Sequence, residues 1–216
     1  MGFWDRFRSA PPRATETDRV YLTKTAKLAG IAGEVSATPG PILVVAHFAE
    51  SLREVQEALA AVGFPGELAQ GTVTASDYLR RPRTDGTPLP FFALTTQLRP
   101  AEFAGEAEGD RLKILVAERH FLRDHDGTIR LFAEGIGRPT VVLFFVALDE
   151  PLMKEIAGEW IGDVLRRLGM QETDAIESQM ILRRVKSAQS KYASKARGDE
   201  PAESAEQWLE RNGPTK

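Results

Sequence analysis

The sequence predicts an α/β protein: a mainly parallel sheet flanked by helices, with a helical extension towards the C-terminal end. Four short runs of β-branched and aromatic residues, 42–45, 91–95, 112–116 and 141–148, are too short for buried helices and too uniformly apolar for strands with one wet face. Stripes at helical spacing lie between them, Leu52, Val55, Leu59 and Val62 in one and Ile129, Phe132 and Ile136 in another. Right-handed crossovers make one parallel sheet the economical way to bury four such runs.

Residues 1–17 form an N-terminal segment and linker, in which Phe3, Trp4 and Phe7 recur beside Arg6 and Arg8. That pattern suits a peripheral membrane contact or a docking helix as well as a helical turn packed on its own domain. The α/β domain is expected over 18–170, opening with a helix that Thr23 caps and that runs to about residue 35. Pro39-Gly40 breaks the chain before the first run; Ser51-x-x-Glu54 reads as a capping box for the next helix, which Gly63 ends. Pro82, Asp85-Gly86, Pro88 and Pro90 predict a long irregular connection, and Glu102, Glu106, Glu108 and Asp110 a solvated acidic loop. Gly135-x-Gly137 reads as a helix C-cap, and Met153, Ile156, Trp160, Val164 and Leu168 as a helical stripe stopped by Gly169. Residues 171–198 follow as an extended helix, expected over 176–197, with Ile181, Val185, Ala188 and Tyr192 on one face. An acidic helix or tail, 199–216, carries Trp208 and Leu209.

Composition excludes several classes. The net charge is −3 with dispersed basic residues, so no nucleic-acid surface is expected. Cysteine is absent, which removes disulfides and thiolate metal sites. The longest apolar run, 140–148, is too short for a bilayer and no leader pattern follows the N-terminus; a cytoplasmic protein is expected. Nothing matches Gly-x-x-x-x-Gly-Lys-Ser/Thr, the loop whose amides and lysine cradle phosphates. His120 and His125 with Asp124 and Asp126 match no standard ligand spacing, and His47 has no recognisable nucleophile nearby. Catalytic residues, metal and cofactor are each expected to be none.

One stretch is specific. Glu118-Arg119-His120, then Arg123, Asp126, Arg130, Gly137, Phe144, Leu148 and Leu152-Met153 resemble, without a gap, the second RecA-like nucleotide-binding domain of SecA, the bacterial preprotein translocase ATPase. Asp18-Arg19-Val20-Tyr21-Leu22-Thr23 with Lys27 resembles the start of that domain, and Leu168-Gly169-Met170 through Gln189 the start of the family's helical scaffold. The resemblance implies a RecA-like fold and a bacterial protein near the translocation machinery. It also marks departures. Phe132 and Gly135 stand where the family's two finger arginines neutralise a γ-phosphate, a role that needs a planar cation. Val45, Ala46 and Phe48 replace the family's Gly-Thr-x-Ser turn, which predicts a filled or reshaped cleft. Arg99, Glu102 and Arg130 remain as vestiges of the nucleotide site.

The expectation is therefore a catalytically inactive SecA-like module, a pseudo-ATPase acting by binding protein, with a translocase component or a second copy as partner and a place in the cytoplasm or at the inner membrane. Half of a composite ATPase completed by a Walker-bearing chain is one alternative; a metabolite site near 46–51 and 95–99 is another. The partner surface is assigned to Met180, Ile181, Arg184, Val185, Ala188, Tyr192 and Trp208. Either the acidic tail covers this face through Trp208 or another chain does. Since the tail offers only Trp208 and Leu209 as large apolar contacts, another chain is the expected occupant.

Overall fold

The structure, a computed structural model, describes residues 14–79, 89–100, 111–157, 167, 169, 171, 173–177 and 179–215. Six strands form one sheet: β1 (Ala14–Tyr21), β2 (Ile42–Ala46), β3 (Glu67–Leu68), β4 (Pro90–Leu94), β5 (Leu112–Val116) and β6 (Thr140–Ala147). Their order is β1-β6-β5-β2-β4-β3 and every pairing is parallel. The four predicted runs are adjacent, as β6, β5, β2 and β4. The sheet begins at Ala14, four residues ahead of Asp18, because all eight residues of β1 pair with β6.

Alternation assigns each strand residue to one of two cores. Leu43, Val45, Ile114, Val116, Val142 and Phe144 face α3 (Ala75–Leu79) and α4 (Arg123–Gly135), burying Tyr78, Ile129, Phe132 and Ile136. Val44, Ala46, Leu115, Leu143 and Phe145 face α1 (Lys24–Ser36) and α2 (Ala49–Ala61), burying Ile31, Val35, Leu52, Val55 and Leu59. With both faces covered, neither side of the sheet tolerates polar residues, which is why these runs read as uninterrupted.

Thr23 caps α1 as predicted, its side chain accepting from the Ala26 amide. The Ser51–Glu54 capping box does not form: α2 starts at Ala49 with Phe48 in the cap position, three residues ahead of Ser51, and Glu54 instead pairs with Lys24 at 2.6 Å. Gly63 and Gly137 end their helices at φ 88° and 75°, a region that side chains disfavour.

A third core caps the carboxyl ends of β1 and β6. It is made with α5 (Pro151–Ala157), α6 (Gln179–Lys195) and α7 (Ala205–Asn212) around Phe48, Phe121, Val185, Tyr192 and Trp208. The predicted helix over 176–197 starts later, at Gln179, because Ile176 forms an antiparallel bridge with Val20 at the sheet edge. Trp160, Val164 and Leu168 of the predicted stripe lie outside the described residues, as do Phe3, Trp4, Phe7 and Glu102.

Candidate functional site

The chain leaves β2 towards β4 and β3, and leaves β5 in the opposite direction towards β6. Neighbouring parallel strands whose connections part in this way open a crevice at their carboxyl ends, where open α/β sheets bind ligands. Here the chain's own side chains fill much of it. Glu118, just past β5, accepts through Oε1 from the backbone amides of His47 (2.5 Å) and Phe48 (3.4 Å), tying β5 to the turn after β2. Phe48 is buried and lies with its ring 5.4 Å from that of His120. Phe48 thus fills part of the crevice beside the turn after β2.

Asp126 is the hub beneath. Its Oδ1 accepts from His47 Nε2 at 2.9 Å and the His120 amide at 3.2 Å; its Oδ2 accepts from Arg119 Nη1 at 3.0 Å and Gln189 Nε2 at 2.7 Å. Burial alone would raise this carboxyl, but the His47 hydrogen bond and the Arg119 charge hold it well below the usual carboxylate range. Arg119 Nε also donates to Asp18 at 2.8 Å, and its guanidinium stacks 3.4 Å above the Phe144 ring. Residues shared with the resembled family therefore brace β1, β5, β6, α4 and α6 together.

All three histidines of the chain meet here, with ring centroids 5.2 Å (His47–His120), 6.2 Å (His47–His125) and 3.8 Å (His120–His125) apart. Burial, then the neighbouring His47 and His125, push the His120 imidazole down to about 2. His125 pairs with Asp199 of the tail, not with Asp124, and donor atoms of His120, His125 and Asp199 lie within 4.8 Å of one another. Each of these residues already has a hydrogen-bond partner. The Leu122 amide donates to His120 Nδ1 at 3.0 Å, and Asp199 holds His125 Nε2 at 2.7 Å and Trp208 Nε1 at 3.0 Å. The cluster latches the tail onto the start of α4.

Neither position that the resemblance sets against a finger arginine carries a cation. Phe132 is fully buried against the sheet and Gly135 lies at the end of α4. Arg99 and Arg130 are exposed. Thr95 is spent on the Ala46 carbonyl and His47 Nδ1, at 3.2 and 2.9 Å.

Of the residues assigned to a partner surface, Val185, Tyr192 and Trp208 are buried in the chain's own third core. Trp208 is 1% exposed and stacks 4.8 Å from Phe121. The tail thus covers this edge of the face, contrary to the expectation of another chain, because Trp208 combines ring stacking with a hydrogen bond to Asp199. Arg184, Ala188 and Tyr192 instead line a groove of about 350 Å³ with Glu155, Lys191 and Lys195. Ile181 is half-buried beside the third core, and the Met180 side chain lies outside the described residues.

Gln189, Glu118 and Asp199 carry this site, and sequence reasoning gave none of them that role. Asp126 and Gln189 did leave a signal: each is a polar residue on an otherwise apolar helical stripe, Asp126 three before Ile129 and Gln189 between Val185 and Tyr192. Glu118 opens the stretch that resembles the family, though its contact with the turn after β2 was not legible, and Asp199 left no signal, since their partners are remote in sequence.

No family model matches the chain. It is 28% identical over 185 residues to the protein translocase subunit SecA of Clostridium beijerinckii, covering 83% of this chain and 22% of that protein. It is 44% identical over 78 residues to the Koribacter versatilis subunit (36% of this chain, 8% of that protein) and 33% identical over 107 residues to the Xanthomonas campestris subunit (50% and 12%). The chain thus spans between 8% and 22% of the length of these relatives. Among solved structures it superposes loosely on the C-terminal part of the Fun30 ATPase domain (TM-score 0.40, 12% identity, 78% of this chain and 54% of that one). The arterivirus nonstructural protein 10 helicase with DNA gives a TM-score of 0.35 at 14% identity, covering 62% and 29%.

Proposed function

From its homology to SecA over much of its length, we propose that this chain is a SecA-related module that works by binding protein and does not turn over nucleotide. One observation carries the reading: the position of a finger arginine is taken by Phe132, whose side chain is fully buried between α4 and the sheet. A buried phenyl ring cannot reach out to a phosphate, and its loss weighs equally against half of a composite ATPase. The crevice at the switch point, narrowed by the hydrogen bonds of Glu118 and Asp126, supports the same reading. A groove lies on α6, where Arg184, Lys191 and Lys195 surround Ala188 and Tyr192. Basic side chains around an apolar floor suit an acidic amphipathic segment of a partner, with a translocase component as the first candidate.

Phosphate release and calorimetry with ATP test the first half. Turnover no greater than a buffer control and no saturable heat at micromolar protein are expected. Measurable turnover or micromolar affinity would overturn it.

A further inference from the structure

The groove that α5 and α6 line carries a register as well as a charge. Arg184, Ala188, Lys191 and Lys195 follow one another along α6 at spacings of four, three and four, so they stand in one row over three turns. Taking Arg184 as origin, the other three lie at about 6, 10.5 and 16.5 Å along the helix axis. The three cations are exposed, and none has an acid partner among the described residues. Glu155, on the α5 wall, is the one acid among the described lining residues, and Asp199 of the tail is already held by His125 and Trp208. The groove thus sets three positive charges on its α6 wall against one negative charge on its α5 wall.

Spacing and polarity decide the occupant. Ala188 is the small, uncharged member of the row, and with Ile156 it gives the groove an apolar part that a nucleic acid or a lipid headgroup would leave unused. An extended peptide repeats one face about every 6.7 Å, which meets Ala188 but falls out of step with Lys191 and Lys195 by about 3 Å. A helix lying along α6 has the same rise per residue and meets all four positions. Its acids belong on the α6 side, since Glu155 repels them from the other wall.

Resting on the protein-binding reading above, we propose that this groove takes an acidic helix of the partner protein. One apolar side chain of that helix sits over Ala188. A carboxylate four residues to one side of it meets Arg184, and carboxylates three and seven residues to the other side meet Lys191 and Lys195.

The test follows the fluorescence anisotropy of labelled, alanine-rich helical peptides titrated with the full chain. Two peptides carry glutamate, leucine, glutamate and glutamate at spacings of four, three and four, one for each chain direction. A third spreads the same residues round the helix, and a fourth replaces glutamate by lysine. One of the first two is expected to bind at least tenfold more tightly than the third, and to weaken as salt is raised. The fourth should not bind. Arg184→Glu with Lys191→Glu should lose the acidic peptide and gain the lysine one, and Ala188→Leu should weaken the acidic peptide at least tenfold, with circular dichroism confirming that both variants fold. Equal binding of matched and spread peptides, undiminished binding by either folded variant, or sedimentation with phosphatidylglycerol vesicles in place of peptide binding would overturn the proposal. A partner protein captured by the wild type and lost by the double charge variant, without any preference among the peptides, would overturn this inference and leave the protein-binding reading intact. Turnover of ATP would overturn that reading and leave the peptide comparison unaffected.

Discussion

Asp126 receives four hydrogen bonds from three parts of the chain, and no other carboxylate in the described residues holds so many. Asp126→Ala leaves the Arg119 guanidinium short of one of its two close acids in a buried setting. We expect a loss of about 3–5 kcal/mol in urea unfolding. His120 makes a second, pH-dependent contribution. Its imidazole stays neutral in the folded protein down to about pH 2, against 6.5 as its ordinary value, so unfolding takes up a proton at acidic pH. The contribution is full above about pH 6.5 and is lost as pH falls below it, by about 2 kcal/mol at pH 5. His120→Phe keeps an aromatic ring against Phe48 and Trp208 and removes the titration. Its stability difference between pH 7 and pH 5, measured by denaturant unfolding, should be smaller than wild type by about that amount.

At the scale of elements, α7 is an eight-residue helix, too short to persist without tertiary contacts. Ser204 caps it, and its anchor is Trp208, set between Phe121, Tyr192 and His120. Trp208→Ala should cost about 3–5 kcal/mol, with hydrogen exchange of the 205–212 amides rising before that of β2 and β5. Equal protection throughout would show that the tail opens only with the whole domain. Helix positions were legible wherever a stripe and a glycine stop coincide, as at Gly63 and Gly137. The start of α2 was not. Ser51 and Glu54 satisfy a local capping pattern, but the Glu118 carboxylate fixes the His47–Phe48 turn from across the sheet and lets the helix begin at Ala49.

For the molecule as a whole, the hydrogen-bonded centre at the sheet's carboxyl ends is distinct from the groove that α5 and α6 line. If the groove on α6 is the partner surface, Arg184→Glu with Lys191→Glu should remove the proteins recovered by affinity capture and leave the circular dichroism of the domain unchanged. Both side chains are exposed, so the pair should change stability by less than about 1 kcal/mol. Undiminished recovery would place the partner surface elsewhere. Substituting Val185 does not make this test, because that side chain is fully buried and an acid there would unfold the third core.

The sequence by itself determined the layers. Runs such as 141–148 are apolar at every position because helices cover both faces of β6, and that physical demand is written locally. It also determined that Phe132 and Gly135 cannot supply a planar cation. What only the tertiary structure decided is where polar groups find their partners: Glu118 with a turn 70 residues away, Asp126 with Gln189, His125 with Asp199. Hydrogen bonds of that span leave no periodicity in the chain. They form only once β2 and β5 lie side by side and α6 returns across their ends, bringing together groups that would otherwise be buried without partners.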